Sequence, residues 1–193
     1  MKDPGSHIVV VSGGVHGGKT SFTEEVVNTL KKRGLRIAGF LSRGTFKGGI
    51  RDSYSLINLA AGGEIPLATA DLREGWFRYR RFYFNPAALA LGKETVLSSL
   101  EDPPDLIVID EVGPMELEGM GWHSLLQELA VLETLPQIWV ARERVLEGVM
   151  ERWKIPPGHV VRIDPRMGTQ AREKLSANLC ENIANLVRRN KGR

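Results

Sequence analysis

Gly13-Gly14-Val15-His16-Gly17-Gly18-Lys19-Thr20 stands one residue after the apolar run Ile8-Val9-Val10-Val11 and opens onto a helical pattern. It has the form G-x-x-x-x-G-K-[ST], and its chemistry explains its composition. Several backbone N–H groups must turn inward toward phosphate oxygens, which needs glycine torsions and no side chains in the way. Lys19 then reaches the β- and γ-phosphates as a point charge, and the Thr20 hydroxyl is placed to ligate Mg²⁺. The helix that follows adds its positive N-terminal end. Gly13, Gly14, Val15, His16, Gly17, Gly18, Lys19, Thr20 and the adjoining Ser21 are therefore the candidate phosphate-binding residues. His16 reads either as a phosphate contact or as an exposed spacer.

The context fits the motif. Val9 to Val11 belong to a β-branched run suited to a strand buried on both faces. Beyond Thr20, the residues Phe22, Val26, Val27 and Leu30 share one helical face, and Lys31, Lys32 and Arg33 fill the last turn before Gly34. A second strand is predicted over Arg36 to Leu41. Leu106-Ile107-Val108-Ile109 is another buried strand, and it ends in Asp110-Glu111. Ligands of parallel sheets gather beyond the carboxyl ends of the strands, so Asp110 is predicted near Thr20, at Mg²⁺. Neighbouring residues of a strand point oppositely, which leaves Glu111 to face an attacking water as a general base. Glu116 follows as a possible extension of that network or a helix-entry charge, and Glu118 as surface charge.

Strands alternate with helices along most of the chain: Ile138-Trp139-Val140, then the face Val145, Leu146, Val149, Met150 and Trp153, then Val160 to Ile163 and the stripe Leu175 to Val187. That alternation predicts one α/β domain over 1–193 with three layers, a mostly parallel central sheet and helices on both faces. Residues 44–84 differ in texture. Glycine pairs and the alternating stretch Tyr54 to Leu59 predict a small antiparallel β-hairpin insertion, with further strand pieces at Ile65 to Thr69 and Tyr79 to Phe84. The basic tail 188–193 is expected to be frayed and solvated.

Composition sets the bounds. The chain has 193 residues, of which 42% are hydrophobic and 25% charged, as in ordinary globular proteins, and its formal charge of +3 is too small and too dispersed to announce a nucleic-acid surface. Arg73 to Phe84 interleaves arginines with aromatics, a pattern that single-stranded nucleic acid can use, but alternation on a hairpin gives the same pattern and is preferred. Cys180 is the single cysteine, which excludes an intrachain disulfide, and its helical stripe predicts a buried thiol. No apolar run reaches the roughly 20 residues of a membrane span. A cytoplasmic protein, monomeric or weakly oligomeric, is expected.

Taken together, Gly13 to Thr20, the strand carrying Arg51, and above all Ile109-Asp110-Glu111-Val112-Gly113-Pro114-Met115-Glu116-Leu117 resemble the THEP-type nucleoside-triphosphatases, which include the cancer-related nucleoside-triphosphatase. The resemblance runs over roughly Ile8 to Trp153. It implies a RecA-like core and hydrolysis of nucleoside triphosphates to diphosphates and phosphate with broad base tolerance. It further implies Mg²⁺ at Thr20 and Asp110, Glu111 as the catalytic carboxylate and Lys19 at the phosphates. Arg142, in Val140-Ala141-Arg142-Glu143, matches a family arginine that stabilises transition-state charge; from position alone, Arg142 or Arg144 could serve. Two stretches depart from the family pattern. Arg51 is followed by Asp52-Ser53-Tyr54 rather than by a residue and Gly-Phe, and the C-terminal loop reads Asp164-Pro165-Arg166-Met167 in place of Asn-Arg. Two other functions share the same phosphate machinery. One is a kinase whose acceptor sits against residues 44–84, and the other a nucleotide-dependent switch without turnover. A guanine-specific GTPase is disfavoured because Asn-Lys-x-Asp is missing; Asn190-Lys191-Gly192-Arg193 lacks the acid.

Overall fold

The structure, a computed structural model, describes residues 5–15 and 17–191. The N-terminal strand β1 (Ile8–Gly13) is followed by α1 (Lys19–Lys32), β2 (Ile37–Lys47), β3 (Ile50–Asn58), β4 (Glu64–Thr69), β5 (Phe77–Tyr79) and β6 (Phe82–Phe84). Then come α2 (Pro86–Ser98), β7 (Leu106–Val112), the one-turn α3 (Pro114–Leu117), α4 (His123–Ala130), β8 (Gln137–Arg142), α5 (Glu143–Trp153), β9 (Val160–Ile163) and α6 (Thr169–Lys191). Nine strands form one sheet in the order β5-β6-β4-β3-β2-β7-β8-β1-β9. The pairs β2–β7, β7–β8, β8–β1 and β1–β9 are parallel, and every pair from β2 toward β5 is antiparallel.

The strand period of two divides the apolar residues between two cores. Ile8 and Val10 face the side covered by α2, α4 and α5, together with Ile107, Ile109 and Trp139. Val9 and Val11 face the other side, with Val108, Ile138 and Val140, where α1 and α6 pack. Phe22, Val26 and Leu30 of α1 are fully buried there. Each such side chain contributes roughly 1.5–3 kcal/mol of transfer free energy, so α1 and the loop before it are held on a rigid base. Cys180 sits in the same core, and burial pushes its thiol pKa up. Asn85 caps α2 by accepting the Ala87 amide, and Pro86 takes the first helical position, as the sequence predicts.

Four features differ from the sequence reading. The predicted strand Arg36 to Leu41 continues to Lys47, because β2 leaves the parallel core and becomes the first strand of the antiparallel half. Residues 44–84 are thus a four-strand continuation of the main sheet, with β2 shared, rather than a small hairpin set on it. Tyr79 to Phe84 is not one strand: Arg80 takes a left-handed turn with φ of 55°, and β5 folds back on β6. The tail is helical through Lys191. Arg188 bonds Glu181 and Asn185 within the helix, and Lys191 Nζ pairs with the buried Asp105 at 2.8 Å, so these two basic residues close onto acids, while residues 192 and 193 of the expected tail lie outside the described residues. Among the described residues, no helix is long and apolar enough to cross a membrane.

Candidate active site

The phosphate loop lies at the carboxyl end of β1, between β8 and β9. Gly13 packs so closely on β9 that a Cβ would stand 2.3 Å from the Ile163 carbonyl oxygen. Gly17 donates to the Gly14 carbonyl at 3.1 Å, and Gly18, with φ of 75°, is the N-cap of α1 with no side chain to cover the first amides. Uncapped amides at a helix start are the donors an anion needs. Lys19 Nζ reaches back over the loop to the Gly13 and Gly14 carbonyls at 3.1 and 2.8 Å. Burial lowers its pKa, against the pull of the Glu111 and Asp110 carboxylates. Val15 and Ser21 are exposed at the loop mouth. His16 lies outside the described residues.

Asp110 is buried at the foot of this loop. Its Oδ2 accepts the Thr20 hydroxyl at 2.9 Å and the Ser42 amide at 3.0 Å, and its Oδ1 accepts the Glu111 amide at 2.8 Å. Burial, and then the charge of Glu111, raises its pKa. The Thr20–Asp110 pair predicted from sequence is therefore in place, and it offers a hydroxyl and a carboxylate, the hard oxygen donors that Mg²⁺ takes in company with phosphate oxygens and water. The residues fit that ion.

Glu111 reaches its position by a different route from the one expected. Strand alternation does not aim it; its φ is 62°, and the β7–β8 register shifts between Ile109 and Val112. A glutamate held in the left-handed region costs on the order of 1–2 kcal/mol, and such outliers concentrate at functional sites. The turn sends its carboxylate to Arg142, whose Nη2 donates to Oε2 at 3.0 Å and to the Tyr54 hydroxyl at 2.9 Å. Burial opposes the charge of Arg142, and Glu111 and Tyr54 outweigh it, leaving the guanidinium firmly protonated. Burial and the Glu111 carboxylate raise the pKa of Tyr54.

These groups line a cavity of about 540 Å³ that also receives three arginines of the antiparallel half. Arg51 lies flat over Gly44, between the rings of Phe46 and Tyr54 at 4.7 and 5.0 Å; a Cβ on Gly44 would meet its guanidinium at 2.0 Å. Arg81 stacks on Phe82 at 4.6 Å, and Arg43 pairs with Glu24. Tyr54 and Arg81 were not singled out from sequence. No motif marks them, since β3 and the turn between β5 and β6 bring them to the phosphate loop only through the sheet order. Arg172 of α6 was missed for the same reason: its Nη1 would lie 3.2 Å from a Cβ on Gly18, while it is tied to Glu25 and stacked on Phe22.

Other expected residues go elsewhere. Arg144 lines a second cavity and not the phosphate cavity, so of Arg142, at the end of β8, and Arg144, just beyond it, only Arg142 faces the loop. Glu116 is buried, and its two oxygens accept the Gly113 and Trp122 amides at 2.8 and 3.1 Å; it clamps the segment after β7 and takes no part in the network around Asp110. Glu118 receives Tyr79 and Arg80 at the surface, as expected of a surface charge. The aromatic-basic stretch is a hairpin, but its arginines lie on ring faces: Arg78 on Tyr83, Arg80 on Tyr79, Arg81 on Phe82. In the C-terminal loop Arg166 closes on Asp164, holding that carboxyl down at about 2, and the loop lines neither cavity.

A sequence profile of the NTPase family matches residues 8–178, from β1 into α6. The chain belongs to this family. The match reaches beyond Trp153, where the resemblance read from sequence stopped. The nucleoside-triphosphatase THEP1 of Hyperthermus butylicus is 32% identical over 192 residues, 95% of each protein. That of Archaeoglobus fulgidus is 30% identical over 149 residues, 76% of this chain and 86% of its own length. The crystal structure of THEP1 from Aquifex aeolicus superposes with a TM-score of 0.68 at 16% identity, covering 91% of this chain and 98% of that one. The solution structure of a human cancer-related nucleoside triphosphatase gives 0.61 at 20% identity, covering 91% and 96%. The family identifies the activity as hydrolysis of nucleoside triphosphates, and the superpositions place the fold among these α/β enzymes.

Proposed function

We propose that hydrolysis runs in the phosphate cavity with Glu111 as the base, Arg142 as the transition-state cation, and Lys19 and the loop amides as the phosphate cradle. The observation that carries this reading is the left-handed turn at Glu111, which brings its carboxylate into one cavity with Lys19 and Thr20 and onto Arg142. Gly13 to Thr20 bind the β- and γ-phosphates, and Ser21 stands beside them at the loop mouth. Thr20 and Asp110 would hold Mg²⁺, which when bound supplies positive charge against the phosphate oxygens. Glu111 orients a water and takes its proton; Arg142, fixed by Glu111 and Tyr54, turns its remaining N–H groups to the charge that builds on the γ-phosphoryl oxygens. Arg51 and Arg81 add cations on the opposite wall. The chain acts on its nucleotide as one domain, residues 44–84 included, because the antiparallel strands furnish one side of the cavity.

Phosphate release from ATP, GTP, CTP and UTP with Mg²⁺, for the native protein and Glu111→Gln, tests the assignment. Release from several triphosphates that falls roughly 10²–10⁴-fold in the variant, with nucleotide affinity kept, is the expected result. Equal loss of affinity and turnover would remove Glu111 from the role of base.

A further inference from the structure

A second cavity, of about 410 Å³, lies beside the phosphate cavity, and five residues line both: Tyr54, Arg81, Phe82, Glu111 and Arg142. The proposed base and its arginine thus form a partition with one face toward the phosphate loop and the other toward this space. Hydrolysis uses only the first face. A cavity of this size accommodates a small metabolite and lies within the range of ordinary ligand sites.

Its walls state what would fit. Tyr79, Phe82, Phe84 and Trp122 contribute rings, with Leu67 and Leu89 behind them. Trp122 is fixed by contact with Phe40, at 4.4 Å between centroids, and Phe84 by Phe77 and Tyr79, so these surfaces are set before a ligand arrives. Around the rings stand Arg80, Arg81, Arg142 and Arg144, against the carboxyls of Glu111 and Glu116. Arg80 is taken by Glu118 and Arg142 by Glu111, whereas Arg144 has no side-chain partner among the described residues. Glu116 is spent on two backbone amides. Flat apolar walls with a spare guanidinium select a planar aromatic molecule that carries an anionic group.

We propose that this cavity is a phosphoryl-acceptor site for a small planar anion bearing a hydroxyl, of the kind found in hydroxylated aryl carboxylates. The proposal rests on the reading of Glu111 as base. With the rings holding the flat body and Arg144 the anion, the acceptor hydroxyl meets Glu111 where water otherwise stands. Its oxygen attacks the γ-phosphorus, the bond to the β–γ bridging oxygen breaks, and the nucleoside diphosphate leaves with that electron pair. The hydroxyl proton passes to Glu111. One triphosphate and one acceptor give one diphosphate and one phosphorylated acceptor.

The test uses the full chain with Mg²⁺ and ATP labelled in its γ-phosphate, and two panels: AMP, GMP, CMP and UMP, and 4-hydroxybenzoate with its positional isomers. Expected is label in at least one hydroxybenzoate; label only in a nucleotide, carried on its phosphate as a diphosphate, overturns the hydroxyl acceptor. Arg144→Ala should raise the KM for that acceptor at least tenfold, and Leu89→Trp, which fills the cavity, should abolish transfer. Both should release phosphate to water within about twofold of the native rate when no acceptor is present; that rate also certifies that the variants are folded. Label found only in inorganic phosphate with every acceptor overturns the proposal while leaving hydrolysis intact, and so does transfer that survives in both variants. Loss of Glu111→Gln sensitivity in the hydrolysis assay would instead strike at the reading beneath it.

Discussion

The two halves of the sheet approach the nucleotide site with different means. In the parallel half, β1, β7 and β8 present backbone: glycine turns, an uncapped helix start, and a buried aspartate tied to Ser42 and Thr20. Position there is dictated by main-chain hydrogen bonds and by contacts too close for any side chain, as at Gly13. The antiparallel half presents side chains on long stems: Arg51, Arg81 and the Tyr54 hydroxyl, each steadied by a ring face or by a single bond. A stacked guanidinium keeps its donors free while its stem covers apolar surface. On the reading proposed above, the first half defines where phosphate sits, and the second adjusts charge around it. Rigid binding and adaptable electrostatics are divided between regions that share one strand, β2.

If that division holds, substitutions should rank by half. Besides the loss expected for Glu111→Gln, Arg142→Ala at the end of β8 should lower turnover about 10³-fold while affinity changes little, measured by single-turnover hydrolysis. An unchanged rate would shift the transition-state cation to Arg51 or Arg81, across the boundary. Lys19→Ala should weaken triphosphate binding by roughly 10–100-fold in calorimetry, the worth of one charge-assisted contact. Tyr54→Phe, from the antiparallel half, should cost about 10–100-fold in turnover, the worth of one hydrogen bond from a charged donor, and still less than Arg142→Ala. A loss as large as that of Arg142→Ala would mean that β3 belongs to the catalytic machinery and would break the comparison.

Two stability measurements sharpen it further. Glu111→Gly should raise unfolding free energy by about 1 kcal/mol while abolishing turnover, because glycine relieves the left-handed torsion that the function imposes. Glu116 is held up at about 7 chiefly by burial, from an ordinary value of 4.5. The folded state then binds its proton more tightly than the unfolded chain does. Its contribution is full below pH 4.5 and is lost as pH rises through 7, with a total on the order of 3 kcal/mol. Urea unfolding of nucleotide-free protein at several pH values should show stability falling over that window. A flat profile would mean that the two amide donors offset the burial.

Much of the parallel half is legible in the sequence because each device there needs a specific residue type at a specific spacing. Gly13 to Thr20 and Asp110 can be picked out as candidates for that reason, and the helix face of α1 is as expected. The geometry expected for Glu111 is not the one found, since alternation in a strand gives no hint of a bulge. The antiparallel half is less legible. Tyr54 bonds Arg142 across a separation of 88 residues, and Arg81 lines the same cavity from 61 residues away, which only strand order decides. Arginine beside aromatic residues reads equally well as a solvated edge. Arg144 and Arg142 are two residues apart in sequence, and nothing short of the start of α5 tells that both line the second cavity while only Arg142 reaches the phosphate cavity.

The place of β1 has a further consequence, for how the molecule comes to be assembled. β1 pairs only with β8 and β9, so residues 8–13 wait for partners that begin at Gln137 and end at Ile163. Such long loop closure is slow and leaves an apolar β-branched strand without a neighbour while the chain is being made. β2, β3 and β7 can pair earlier, and α1 has no α6 to pack on until the end. The nucleotide cradle, encoded first, is therefore closed last, and synthesis that stops before β8 leaves a chain with the phosphate-binding residues but no phosphate site.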